Sequence, residues 1–308
     1  MSLLFLSLDA LHDHFSKSTS QINSHSGSLV GVLKSILYRS YGSKTECDCM
    51  EILWNLAEDE GNSVIMAEDR AFLRFLLSYL IVGDPDDMMA NCKQRSLHLF
   101  LLLMQGHRLA DNVQEFLQEN IHILLLGLSD VYYEDRYQNY TFRLLEKTLQ
   151  VINVLTLNES RLLRLCTIHN LPGQNSFINR LYQVLIYHAN SLSTLLYSNR
   201  IRLNATLAVP VLQIMERCSQ HRTLVERMVG RSEPSYIFFT LLDNINSSAV
   251  IRASILRIFT KISEVPSAHQ ARFKWYLETD RLKDRQGPDR AGKSSIKDRR
   301  PSPENRNG

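Results

Sequence analysis

Glycine is scarce in this chain. Twelve glycines and eight prolines in 308 residues are too little punctuation for a turn-rich β protein. Period-two alternation of apolar residues is also absent, so no strand is predicted. The five cysteines, Cys47, Cys49, Cys92, Cys166 and Cys218, are odd in number and widely scattered. That excludes a disulfide scaffold and predicts reduced thiols in an intracellular protein, cytoplasmic or nuclear. Apolar runs such as Leu99–Met104 fall far short of the ~20 residues a membrane helix needs, so no membrane partner is expected. The opening MSLLFLSLD is apolar, but Asp9 interrupts it and no basic residue precedes it, which makes a poor secretory signal. It reads instead as an amphipathic helix over 2–15 with Leu4, Leu8, Leu11 and Phe15 on one face.

Catalytic signatures are missing too. No HExxH, GxSxG or DFG-type arrangement occurs. Gly27–Ser35 has three residues between its glycines and Lys34 displaced from Gly31, so amides and ammonium cannot converge on phosphates as in a P-loop. Cys47-x-Cys49 has no second pair at zinc spacing, and His12-x-His14 would point to different sides of a helix. The acidic clusters Glu58-Asp59-Glu60 and Asp84, Asp86, Asp87 fall at helix boundaries, where capping is their simplest role. The expectation is a protein with no catalytic residue, no metal and no cofactor.

What the chain does have is helical periodicity. Apolar residues recur at i, i+3, i+4 and i+7 almost continuously from Leu29 to Phe273. The pattern predicts helices at 2–15, 29–41, 46–58, 63–81, 88–105, 109–127, 134–157, 160–169, 175–189, 201–219, 221–229, 234–245, 248–264 and 267–283, with Pro210 kinking the tenth. Long apolar helices recur around Trp54, Leu101, Asn153, Leu212 and Leu256, at separations of 47, 52, 59 and 44 residues. Those periods are near the ~40–47 residues of HEAT and armadillo units. The reading is all-α: an α-solenoid over 29–277, preceded by an N-terminal helix and Ser-rich linker (1–28) and followed by a basic, mostly disordered tail (278–308).

Residues 52–77, ILWNLAEDEGNSVIMAEDRAFLRFLL, resemble the third helix of an armadillo repeat running into the next repeat, with Leu53, Asn55, Leu56, Asn62 and Ile65 in the family's places. A second echo is VINVLTLN at 151–158. The resemblance implies armadillo-like helical repeats. In family members that bind extended peptides, a ladder of asparagines grips the ligand backbone. Asn55 and Asn153 stand at ladder positions, while Glu51 and Leu149 stand where that mode has Trp. Asn55 is therefore also read as a residue tying helices together, and Trp54 as a packing residue.

Charge is unevenly placed. Residues 1–154 carry 12 basic and 20 acidic side chains, a net of −8, and residues 155–308 carry 23 and 12, a net of +11. Residues 155–277 hold twelve arginines and only two lysines, among them Arg161, Arg164, Arg180, Arg200 and Arg202. Arginine suits a planar grip on carboxylate or phosphate, so these are candidate contacts for an acidic or helical segment of a partner; solvated outer helix faces are the alternative. Tyr132 and Tyr133, in YYEDRYQNYTF, are further candidates, since Tyr and Arg are enriched at interface hot spots. The sequence thus predicts a non-catalytic scaffold or adaptor for other proteins. A nucleic-acid- or chromatin-associated module using the basic half is the alternative, and self-association through the opposed charges is a third reading.

Overall fold

The computed structural model describes residues 29–40, 43–81, 87–106, 108–128, 138–168, 176–194, 201–229, 233–243 and 247–265. The helices expected at 2–15 and 267–283, the tail, Tyr132, Tyr133 and Arg200 lie outside them. The elements within the described residues are α-helices: α1 (Leu29–Arg39), α2 (Lys44–Leu56), α3 (Glu60–Glu68), α4 (Arg70–Ile81), α5 (Asp87–Leu103), α6 (Ala110–Glu119), α7 (Ile121–Gly127), α8 (Gln138–Leu155), α9 (Glu159–Thr167), α10 (Phe177–Thr194), α11 (Ile201–Cys218), α12 (Arg222–Val229), α13 (Glu233–Asp243) and α14 (Ala249–Ser263).

They fall into units of a short first helix, a second helix and a long third helix. Units two to five are α3–α5, α6–α8, α9–α11 and α12–α14; unit one contributes α1 and α2, equivalent to a second and a third helix. Within each unit the second helix packs on the third, and each third helix packs on the next, so α2, α5, α8, α11 and α14 form one layer. This is a helical solenoid, and the five helices of that layer are the five long apolar segments that set the period in the sequence. One apolar core runs through all units from Val30 to Ile262. Each buried Leu, Ile or Met in it contributes about 1.5–3 kcal/mol, which no unit could secure alone.

Two predicted helices are each two. The pattern over 63–81 is broken at Asp69, whose extended backbone (φ −87°, ψ 91°) ends α3. Its Oδ1 accepts from the Phe72 amide at 3.0 Å, capping α4, and its Oδ2 accepts from the buried Lys34 ammonium at 2.6 Å. The pattern over 109–127 is broken at Asn120 (φ −107°, ψ 20°), whose Nδ2 donates to the Phe116 carbonyl at 2.8 Å. In both places the hydrophobic period runs straight through the corner, because the helices on either side of it each bury an apolar stripe: α3 and α4 both against α5, but α6 against α3 and α5 and α7 against α4 and α8. A side-chain cap does the cutting at Asp69, as at the starts of α3 and α9. Asp59 accepts from the Asn62 amide at 3.0 Å, and Asn158 accepts from the Arg161 amide at 3.2 Å. The α5–α6 connection instead turns through Gly106 at φ +77°, a conformation that suits only glycine well. Helix α11 continues through Pro210.

All five cysteines are free and buried. Cys47 of α2 meets Cys92 of α5 at 3.0 Å, and Cys166 of α9 meets Cys218 of α11 at 3.8 Å. Burial, helped by the contact with Cys47, pushes the Cys92 thiol up, so it behaves as a small apolar packing group.

Candidate interaction surface on the third-helix layer

Three of the junctions between a third helix and the next first helix have the same length, three residues: 57–59, 156–158 and 219–221. Counting back from the residue just before each first helix (Asp59, Asn158, His221) therefore compares like with like. Six residues back stand Leu53, Ile152 and Met215, all fully buried. Five back stand Trp54, Asn153 and Glu216, and each reaches across to the next third helix. Trp54 stacks on His98 of α5, with ring centroids 5.1 Å apart and an interplanar angle of 19°. Asn153 donates to Gln213 Oε1 of α11 at 2.8 Å and accepts from Arg217. Glu216 accepts from Arg257 Nε of α14 at 2.7 Å. The α5–α6 junction is twice as long, 104–109, so the count is lost there.

That register corrects the asparagine ladder. Asn55 lies four residues before Asp59, whereas Asn153 lies five before Asn158. One residue is ~100° around a helix, so the two asparagines are not equivalent. Asn55 is exposed and its side chain bonds to no other helix among the described residues, while Asn153 is half-buried and spent on α11. Trp54 does pack, as expected: it lies against the apolar core and stacks on a histidine of the next unit.

Other arginines are engaged within the solenoid. Arg217 of α11 donates to the Asn153 carbonyl at 3.2 Å and Thr156 Oγ1 at 2.8 Å, as well as to the Asn153 side chain. Burial pulls its guanidinium below its ordinary value, against the opposing pull of Cys218 and Glu216. Arg227 of α12 donates to the Cys166 carbonyl at the end of α9, at 2.8 Å. Arg95 of α5 grips Glu51 at 2.6 Å and the Cys47 carbonyl of α2. In each case a guanidinium from one unit holds backbone or side-chain oxygens of the unit before it; Arg95 uses both terminal nitrogens as a fork, while Arg217 and Arg227 use one each. Arg217 and Arg227 of the Arg-rich stretch are therefore internal staples, and Arg95 is another in the acidic half.

The predicted contact residues separate accordingly. Arg161 and Arg164 come together beside a depression of about 250 Å³ between α6 and α9, lined also by Asp111, Glu115, Gln118, Asn158 and Ser160. Arg161 there donates to Gln114 and lies 3.8 Å from Asp111. Arg164 is exposed. Arg180 is only 7% exposed and donates to Gln183 one turn along α10 at 3.2 Å, so its place is in the packing and not on an open face. Arg202 lies in the first turn of α11, where only the backbone is described. The residues missed by sequence reasoning are Glu51, Arg95, His98, Gln213, Glu216 and Arg257. Counting back from the caps would have found Glu216; its partners sit on another helix and carry no local signal.

Among the described residues no group of three or more His, Cys, Asp or Glu could hold a metal ion, and no helix is long and apolar enough to cross a membrane. No family model matches the sequence. No curated protein matches it significantly. The fold is similar to that of a solved chain from work on a conserved phosphorylation switch that controls the interaction between cadherin and beta-catenin. The TM-score is 0.61 at 13% identity, over 91% of this chain and 53% of that one. The chain therefore spans about half the length of that neighbour, and the likeness is one of fold: an all-α solenoid of armadillo-like repeats.

Proposed function

We propose that the protein is a non-catalytic scaffold or adaptor that binds other proteins along the layer of third helices. The observation that carries this is the stacking of α2, α5, α8, α11 and α14 into one continuous layer. On those helices stand half-exposed Trp54, Leu101 and Val154 and exposed Ile52, Asn55 and Leu256. Ile52 is 44% exposed and Leu256 56%. A long surface of apolar residues between already paired polar ones suits an extended or helical protein segment. The fold it shares with a chain involved in a cadherin and beta-catenin interaction supports a protein partner. Arg164 of α9 provides a candidate contact outside that layer, Arg200, Arg202, Tyr132 and Tyr133 are further candidate contacts, and the buried free thiols suit an intracellular setting. Internal use of Arg161, Arg217, Arg227 and Arg257 leaves less positive charge to track a phosphate backbone, which favours protein over nucleic acid.

The test is quantitative affinity purification of the intact chain beside Ile52→Glu/Leu256→Glu and Arg164→Glu/Arg200→Glu/Arg202→Glu variants that retain their helical circular dichroism. The first variant should lose at least ten-fold of its major protein partners. An unchanged partner set in both variants sinks the reading. Tight binding of the pure protein to a DNA or RNA oligonucleotide at ~150 mM salt would replace it with the nucleic-acid one.

A further inference from the structure

Unit one is the odd one. In units two to five a short helix of 9, 10, 9 or 8 residues (α3, α6, α9, α12) precedes the second helix and buries apolar side chains, such as Val113, Phe116 and Leu117 of α6. No such helix stands before α1 among the described residues. Correspondingly, α1 is the one described helix with three large exposed apolar residues: Leu29 at 60%, Val32 at 46% and Ile36 at 39%. Their i, i+3, i+7 spacing puts them on one stripe.

The stripe has a definite direction. Lys34 and Tyr38 of α1 meet unit two, the first through Asp69 and the second edge-on to the Phe75 ring at 4.8 Å. At ~100° per residue, Leu29, Val32 and Ile36 lie roughly opposite Lys34 and Tyr38 around the helix. The stripe therefore faces away from the solenoid, at the end where repeat proteins need a cap.

We propose that residues 2–15 of this same chain form that cap, laying Leu4, Leu8, Leu11 and Phe15 on the α1 stripe as the first helix of unit one. Three observations favour this occupant over others. It is amphipathic and lies directly upstream in the sequence, where the first helix stands in every other unit. The intervening polar residues 16–28 reach up to ~45 Å, against ~16 Å for the length of α1, so every part of the stripe is within range. And the charges are complementary: residues 2–15 hold Asp9 and Asp13 with no Lys or Arg, while α1 has no acidic residue and exposes Arg39.

The experiment is hydrogen–deuterium exchange on the full chain, with its mass followed by sedimentation. Residues 4–15 should exchange at least ten-fold more slowly than an unstructured peptide, in a monomer and independently of protein concentration. Leu8→Asp/Leu11→Asp should speed exchange of both 4–15 and 29–36 and leave units three to five unchanged. Free exchange of 4–15 in the parent overturns the proposal, as does a variant in which only its own segment responds. A dimer that the same variant dissociates overturns it in favour of a second copy on the stripe. A second pair of substitutions, Leu8→Cys with Val32→Cys, gives an independent readout, because the native cysteines are buried. A short bismaleimide should link the two within one chain at micromolar protein; products linked between chains, or none, reject the intramolecular cap.

Discussion

The junction between α2 and α5 and the junction between α8 and α11 meet one packing requirement with opposite chemistry. In the first, the residue five before the cap is Trp54, and it crosses to the next unit by stacking on His98. In the second the equivalent residue is Asn153, held by Gln213 and by the part-buried guanidinium of Arg217. The first joint is aromatic and directional in one contact. The second is a polar network in which Asn153 and Thr156 share one part-buried guanidinium, and an acceptor left unpaired there costs more than a pair gains. What the solenoid demands at this position is reach across to the next unit, by whatever side chain. That explains how a chain can share its fold with a solved armadillo-like structure at only 13% identity.

The comparison breaks most visibly at Arg217. Arg217→Ala leaves the Asn153 amide oxygen and Thr156 Oγ1 without their donor and the Asn153 carbonyl with only the Thr156 hydroxyl. The expected loss is about 2–3 kcal/mol in urea unfolding, the range for hydrogen bonds to a charged group. Arg217→Lys should recover most of the loss, since all three contacts come from one terminal nitrogen, Nη2, whose place a single ammonium with three donors can take. No recovery by Lys would show that the planar fork itself is needed.

The aromatic joint should respond to pH where the polar one does not. Burial first, and the nearby Lys147 charge second, lower His98 to about 4. In the unfolded chain His titrates near ~6.5, so between those values the unfolded state binds more protons. Stability should be complete above pH ~6.5 and decline as pH falls toward 4, by about 2 kcal/mol once partial exposure is allowed for. His98→Phe keeps a ring beneath Trp54 and removes the proton. Its stability difference from the parent should change across that window and stay constant above it. A parallel pair of pH curves would mean that His98 does not carry the effect.

Trp54→Ala tests the stack itself. Half a side chain of burial and one ring contact predict a loss of about 1–2 kcal/mol, smaller than at Arg217. If Trp54 were instead a free binding residue, its removal would weaken partner binding and leave the urea midpoint where it was.

How much of this could be read without coordinates depends on the range of the interaction. The third helices were visible at Trp54, Leu101, Asn153, Leu212 and Leu256 because a helix that is buried by its neighbours must be apolar along a stripe of its own. The corners at Asp69 and Asn120 were hidden because that stripe does not stop at them; at Asp69 a side-chain cap makes the break, and at Asn120 the side chain turns back onto the last turn of α6. The internal role of arginines such as Arg217 and Arg227 was hidden for a related reason. Their abundance is a property of composition, but their acceptors are carbonyls such as Cys166 and Asn153, about sixty residues away in the chain and identical in every sequence. Asn55 and Asn153 looked alike until the caps fixed their register.

The third joint, Glu216 with Arg257, sharpens the comparison at its weak end. It occupies the same position as Trp54 and Asn153, yet its arginine side chain is 56% exposed. Contact with Glu216 raises the Arg257 guanidinium above its ordinary value, but water and salt reach the pair and screen it. A double-mutant cycle with Glu216→Gln and Arg257→Gln should give the smallest coupling of the three joints, and one that vanishes in 1 M salt. The Arg217 network, being part-buried, should keep most of its coupling under the same conditions. If salt erased both equally, burial would not be what separates the joints, and the equivalence of position would be the only thing they share.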